Sequence, residues 1–544
     1  MSLIAASIRH ARWLLPVALL MSLVSGLGNA ALVALINQAL GASRDRLVVL
    51  GLQFAALGLL VLVTRVLSQT LFMHLGQRTK ATLRMQTIRR IASAAYPHLE
   101  KCGAARALGV LTQDLDSVVV FFISLPSIAM QVAVIAGCLA YLGMLSWPIL
   151  LLAVVTIGVG AHGFHLVNAR ALLHLRGSRD REDILVGRFR ALFDGAKELK
   201  LHRARRQAFV DDELAPHVEA VRVQRTRGYV LYAAAASWGS LVLFAFVGVT
   251  LFVIARLFDA NAHVMSGYAL VFLYLMMPIE GLLAALPALS TARIAFERIG
   301  QLDDLLPPDQ PAHSDASSTF TSLVLEGVTH RYFREKENAF FQLGPIDIAF
   351  TPGEIVYLIG GNGSGKTTLA KLLVGLYVPE HGRVLLDGQP IDDTTREVYR
   401  QLFSVVFSDF YLFDSLLGLP AGSEQTAQKL LVDLQLDHKV SIENGAFSTL
   451  DLSQGQRKRL ALLVAYLEDR PFYVFDEWAA DQDPVFKGVF YRRLLPALKA
   501  AGKTVLVITH DDRYFDLADR TIKLDSGQAA GPQYIVSTRA AVAS

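Results

Sequence analysis

From Ser117 to Ala169 the chain runs for 53 residues without one Lys, Arg, Asp or Glu. A helix needs about 20 mostly apolar residues to cross the ~30 Å hydrocarbon layer of a bilayer. The run therefore predicts two crossings, with a turn at Leu142–Pro148, where Gly143, Ser146 and Pro148 interrupt it. The same length argument finds further apolar stretches on both sides. It predicts six spans, at about 13–36, 47–75, 117–142, 148–169, 228–255 and 264–292. The composition agrees, with 53% hydrophobic and 18% charged residues, where soluble domains carry about 25% charged. Disorder and collagen-like repeats are excluded by that content. A disulfide scaffold is excluded because Cys102 and Cys138 are the only cysteines.

Charge gives the orientation. Residues 1–300 hold 29 Lys and Arg against 16 Asp and Glu, and the remainder holds 23 against 32. A basic front half suits either a nucleic-acid binder or a membrane domain with basic cytoplasmic loops, and the apolar runs select the second. No nucleic-acid partner is expected. The 76–116 segment has seven Lys and Arg and the 170–227 segment has fourteen. The opposite loops hold only Arg44, Arg46 and Arg256. Positive loops face the cytoplasm, so both termini and everything after residue 300 are expected there. The first span, with 24 uncharged residues from Trp13 to Ile36, is too long for a signal-peptide core of about 7–15 residues and reads as a retained helix. Arg65 and Glu280 stand inside apolar stretches. A charge at a bilayer centre costs about 2.5–3.5 kcal/mol even on insertion-based scales, so the two either pair or face a wet cavity.

After a linker rich in Pro and Ser (301–321), the pattern changes to short apolar strands alternating with helices, the sign of an α/β fold. The strand Ile355–Ile359 runs into Gly360, Gly361, Asn362, Gly363, Ser364, Gly365, Lys366, Thr367 and Thr368. This is a complete G-x-x-x-x-G-K-[ST] loop, with its helix expected to start at Thr367. Its glycines let backbone N–H groups wrap the phosphates of a nucleotide. Lys366 is expected at the β- and γ-phosphates of ATP, and the Thr367 hydroxyl on Mg²⁺. The strand Phe472–Phe475 ends in Asp476 and Glu477. The first acid suits magnesium, and the second suits polarising an attacking water. Val505–Thr509 is a further strand, ending at His510. A lone histidine is usually structural, but at a strand tip beside a P-loop a γ-phosphate contact is favoured.

Leu452-Ser453-Gln454-Gly455-Gln456 lies between these motifs, with Ser453 87 residues after Lys366 and 23 before Asp476. It resembles the LSGGQ signature of ABC transporters. With Ala480-Asp481-Gln482-Asp483 as a D-loop and His510 behind it, the ordered set resembles an ABC nucleotide-binding domain over 322–544. The six spans of 1–300 resemble the membrane half of an exporter. The resemblance implies a homodimer in the bacterial inner membrane. ATP would lie there between the P-loop of one copy and Ser453, Gly455 and Gln456 of the other. It also implies an adenine-stacking aromatic at Tyr332, with Phe333 as the runner-up, and a coupling region at Asp194–Phe209.

Two positions depart from the family pattern. Ser408 stands where the Q-loop glutamine normally follows its strand, and Gln454 replaces the second signature glycine. Ser408 is retained as a weak magnesium candidate. The runs VVFSDFYLF, LSQGQRKRLALLVAYLEDRPFYVFDEWAADQDP and ITHDDRYF resemble the cyclic-peptide exporters, the branch with pyoverdine- and syringomycin-type siderophore and lipopeptide exporters. That resemblance implies export of a cyclic or nonribosomal peptide, with export partners in the periplasm or outer membrane left open. The alternatives are a siderophore importer or lipid flippase on the same fold and, in another class, a membrane-anchored regulatory ATPase.

Overall fold

The computed structural model describes residues 13–254, 262–307, 319–334, 339–419 and 422–529. The Pro- and Ser-rich stretch 308–318 and the expected end of the fifth span at 255 lie outside them. Contacts divide the chain into two compact units. One comprises Met1–Arg89 with Ala105–Asp304, and the other comprises Arg90–Ala104 with Leu305–Ser544.

The first unit is helical. Its long helices are α1 (Leu14–Leu40) and α2 (Arg44–Ser93); the short α3 (Tyr96–Cys102) belongs to the second unit. Then come α4 (Leu115–Leu145), α5 (Trp147–Asp194), the short α6 (Ala196–Leu201) and α7 (Arg203–Ala208), α8 (Ala215–Val249) and α9 (Ala262–Leu305). Six helices among the described residues carry windows long and apolar enough to cross a membrane, with mean hydropathy between 1.8 and 2.5. At 1.5 Å per residue the 50 residues of α2 span roughly 75 Å, more than twice the hydrocarbon thickness. The uncharged run breaks at Ser146, whose φ of −164° and ψ of 114° leave the helical region between α4 and α5.

Small residues set the helix spacing, as is usual where lipid removes the hydrophobic drive for association. A Cβ on Gly26 of α1 would lie 2.4 Å from the Met130 carbonyl oxygen of α4, and one on Gly137 of α4 would lie 2.7 Å from Ala30. Between α5 and α8, a Cβ on Gly163 would lie 2.1 Å from the Trp238 indole nitrogen. Polar side chains also cross-link helices of this unit, α1 to α2, α1 to α4 and α9 to α4. Ser22 and Ser68 hydroxyls meet at 2.6 Å, Asn37 donates to the Tyr141 hydroxyl at 2.9 Å, and Tyr268 donates to the Leu142 carbonyl at 2.7 Å.

The second unit is built on a six-stranded sheet of order β12-β11-β3-β10-β9-β6. Its strands are β3 (Ile355–Gly360), β6 (Phe403–Val406), β9 (Phe472–Asp476), β10 (Thr504–Ile508), β11 (Arg520–Asp525) and β12 (Gln528–Ala529). All neighbours are parallel except the β11–β12 pair. Strands buried on both faces lose the polar alternation, and these do. Tyr357, Tyr473, Phe475, Val505 and Val507 face one apolar cluster, while Val356, Leu358, Val474, Leu506 and Ile508 face another. An antiparallel sheet of order β2-β1-β4-β5 adds β1 (Leu323–Arg334), β2 (Ala339–Phe350), β4 (His381–Leu386) and β5 (Gln389–Pro390). The helices used below are α10 (Lys366–Leu373) and α11 (Gln454–Glu468).

Candidate functional site

The parallel sheet presents the carboxyl ends of β3, β9 and β10 along one edge, where open α/β sheets bind ligands. β3 delivers the chain into the loop Gly360–Gly365. Gly365 caps α10 with φ of 100°, in the left-handed region that favours glycine. A Cβ on Gly360 would lie 2.2 Å from the Leu524 carbonyl oxygen of β11, so only glycine lets the two strands approach there. The helix begins at Lys366, one residue before the expected Thr367. Lys366 is buried, and its Nζ donates to the Gly360 and Gly361 carbonyls at 3.1 and 3.0 Å. Ser364 Oγ is buried with no hydrogen-bond partner among the described residues.

A cavity of about 770 Å³ opens on this loop. Gly361, Asn362, Gly363 and Ser364 line one side, and Asp525, Ser526 and Gln528 line another. Phe341 completes the wall, with the Tyr332 ring tilted against it at a centroid distance of 5.4 Å. Tyr332 thus sits one ring away from the cavity lining. The Phe333 side chain and residues 335–338 lie outside the described residues.

Asp476 is buried at the tip of β9. Its Oδ2 accepts hydrogen bonds from Thr367 Oγ1 at 2.9 Å and from Ser408 Oγ at 3.3 Å. Its Oδ1 is buried without a hydrogen-bond partner among the described residues. Burial raises the Asp476 carboxyl above the usual carboxylate range, opposed by the Thr367 and Ser408 hydrogen bonds and reinforced by Glu477 next to it. Glu477 itself has φ of 49°, a left-handed conformation uncommon outside glycine. His510 Nε2 lies 3.3 Å from Glu477 Oε1, both side chains partly exposed. The structure therefore brings Lys366, Thr367, Ser408, Asp476, Glu477 and His510 to one edge. Thr368 follows on the first turn of α10.

The signature segment forms the start of α11. Ser453 accepts from the Gln456 N–H at 3.4 Å and Gln456 Oε1 accepts from the Ser453 N–H at 3.1 Å, a reciprocal cap. A Cβ on Gly455 would lie 2.7 Å from the Asp481 carbonyl oxygen, and Gln482 Nε2 donates to the Gly455 carbonyl at 2.9 Å. Gln454 donates to Asp481 Oδ2 at 3.3 Å. Sequence reasoning missed Lys458. Its buried ammonium donates to the Glu477 carbonyl at 2.9 Å and pairs with Asp481 Oδ2 at 2.7 Å. A signal was present, since Gln454 and Lys458 are one helical turn apart and share a face.

The coupling region expected at Asp194–Phe209 forms α6, α7 and the start of a wide turn within the helical unit. It is α3, from the other basic segment, that clusters with the sheet unit. Tyr377 donates to Glu100 at 2.7 Å, and Lys371 of α10 lies 3.5 Å from Glu100 and 5.0 Å above the Tyr96 ring. No signal in the sequence marked that contact.

Comparison with known proteins decides what these parts belong to. Residues 343–480 match the model of the family described as ABC transporter. The chain is 38% identical over 532 residues to the ATP-binding protein SyrD of Pseudomonas syringae pv. syringae, a match covering 95% of this chain and 93% of that one. The chain belongs to the ABC transporter family. As an ABC transporter it binds ATP and couples ATP hydrolysis to transport, and it is a multi-pass membrane protein of the exporter-type half-transporter class. It is also 31% identical over 282 residues to the ATP-dependent lipid A-core flippase of Cupriavidus pinatubonensis (strain JMP 134 / LMG 1197), covering 49% of this chain and 47% of that one. Its fold is similar to that of a bacterial Atm1-family ABC exporter solved with ATP bound. The TM-score is 0.75 at 17% identity, covering 97% of this chain and 95% of that chain.

Proposed function

We propose that this transporter is a homodimer in the bacterial inner membrane that exports a cyclic or nonribosomal peptide, such as a siderophore precursor or lipopeptide, out of the cytoplasm. The observation that carries the reading is the end-to-end match to SyrD, over a chain whose ATPase motifs resemble those of cyclic-peptide exporters. The flippase relative supports a lipid cargo less, because its match spans about half of each chain. Residues 1–300 act as the membrane domain, 301–321 as the linker and 322–544 as the ATPase. The positive loops put both termini and the ATPase on the cytoplasmic side.

In the proposed site Gly360–Thr368 wrap the phosphates of ATP, Lys366 counters their charge, and Tyr332 stacks on adenine. Each site is completed by Ser453, Gly455 and Gln456 of the second copy. The residues fit a magnesium ion. The hydroxyls of Thr367 and Ser408 converge on Oδ2 of Asp476, and Oδ1 of the same carboxyl has no hydrogen-bond partner among the described residues; these oxygens suit a hard cation. When bound, the ion would neutralise charge on the β- and γ-oxygens. Glu477 holds the attacking water by accepting its proton, and His510, beside Glu477, donates to the γ-phosphate. Lys458 positions Glu477 by fixing its backbone carbonyl. Inside-out vesicles carrying the chain test the direction. They are expected to accumulate a labelled cyclic lipopeptide with ATP and not with a non-hydrolysable analogue. ATP-driven loss of preloaded peptide from the same vesicles would replace export by import.

A further inference from the structure

The helical unit encloses a second cavity, of about 630 Å³, between α4, α5, α8 and α9. Binding sites for small molecules commonly span about 300–1,000 Å³, with apolar walls and a few placed polar groups. This one fits that description. Its walls are almost wholly apolar, with Ile135, Phe164, Tyr232, Val242, Met277 and Leu283 among them. Three side chains with polar atoms line it, Thr156, Tyr232 and Glu280. The Thr156 hydroxyl is already committed to the Leu152 carbonyl at 2.8 Å. Glu280 alone of the three is a carboxylate, and it accepts one hydrogen bond, from Ser240 Oγ at 3.2 Å.

Among the described residues no cationic side chain forms an ion pair with Glu280. Arg65, the other charge inside the apolar stretches, is on α2 and contributes nothing to the cavity lining. The pairing that the sequence left open is therefore not made. Ionisable residues inside membrane segments ordinarily pair or mark a transport path, and a carboxylate on an apolar wall lacks only a mobile cation. Two glycines shape the place. Gly281 brings α9 against Gln131, where a Cβ would lie 2.4 Å from Nε2, while a Cβ on Gly239 of α8 would meet nothing within 4 Å. The wall at Gly239 is open space.

We propose that this cavity receives amphiphilic substrates bearing a protonated amine, with Glu280 as the group that selects the positive charge and the apolar walls taking the chain. The proposal rests on the export reading and narrows its cargo to cationic amphiphiles. Lipid acyl chains would fill the same walls without regard to charge.

Saturable binding of radiolabelled decylamine and of neutral N-decylacetamide to the full chain in lipid nanodiscs separates the two. Wild type is expected to prefer the amine at least tenfold. Glu280→Gln should bring the preference below twofold, and Glu280→Asp should keep part of it. Ser240→Ala should retain the preference, because the charge remains. Gly239→Leu, which extends into the open wall, should weaken both probes about tenfold. Equal binding of the two probes by wild type, or an amine preference surviving Glu280→Gln, overturns the assignment. The wild-type comparison decides even if Glu280→Gln does not fold. ATP-driven peptide movement is scored separately in vesicles, so a failure of export there would leave the role of Glu280 in amine binding standing.

Discussion

Four side chains at or beside the nucleotide edge each give a distinct expectation. Lys366→Ala removes the buried cation of the loop, so ATP binding measured by a fluorescent analogue should fall below detection. Glu477→Gln keeps the shape but loses the proton acceptor. Positioned acid–base groups contribute about 10²–10⁴-fold, so steady-state hydrolysis should fall by at least about 100-fold while ATP still binds. Ser408→Ala removes one hydrogen bond to Asp476, worth about 1 kcal/mol, so hydrolysis should fall by only about fivefold. An unchanged rate and unchanged magnesium dependence would make Ser408 a plain loop residue. Lys458→Met leaves the Glu477 carbonyl and the Asp481 carboxylate without their shared partner. It should cost about 1–3 kcal/mol of stability and lower hydrolysis with ATP affinity kept. The residues of the P-loop, Asp476, Glu477 and His510 were legible because each motif is local, a strand tip plus its turn. Lys458 shares a helix face with Gln454, but its pairing with Glu477 and Asp481, just past the tip of β9, joins two elements and no local motif shows it. Asp525, Ser526 and Gln528, which line the nucleotide cavity, were hidden for the same reason.

At the scale of elements, the length of the uncharged runs and the positions of Gly and Pro located the helices, and Ser146 broke them within the expected turn. The extension of α2 beyond its apolar stretch was legible as well, because Thr79–Ala95 holds few helix breakers and has apolar residues at three-to-four spacing. α2 continues to Ser93, well past the apolar stretch, because polar residues of good helix propensity extend a helix that the membrane has already nucleated. Contacts between elements were not legible at all, since they depend on which faces meet. The contact of α3 with the sheet unit illustrates this. Its Tyr377–Glu100 hydrogen bond should give a coupling of about 0.5–1.5 kcal/mol in a double-mutant cycle of Tyr377→Phe with Glu100→Ala, read from thermal unfolding. Additive losses would mean that the two side chains do not interact. Likewise Gly163→Val should push α8 from α5 at Trp238 and destabilise the helical unit by about 1–3 kcal/mol.

For the whole molecule, the described residues hold six helices long and apolar enough to cross a membrane, and residues 343–480 match the ABC transporter family; the homodimer proposed above would build its paired sites from two copies. Mixing Lys366→Ala chains with Ser453→Arg chains should restore part of the ATPase activity, because some mixed dimers keep one intact composite site. Activity no higher than either mutant alone would argue that both sites must be whole. The split of charge and hydropathy between the two halves of the sequence made this architecture readable. The cargo was not, because specificity resides in cavity walls assembled from four separate helices. The most direct measurement is made on proteoliposomes containing only this purified chain, with ATP hydrolysis and accumulation of a labelled cyclic lipopeptide followed together. The account expects accumulation that requires ATP and disappears in Glu477→Gln. Sustained hydrolysis by wild type with no peptide accumulated would contradict it.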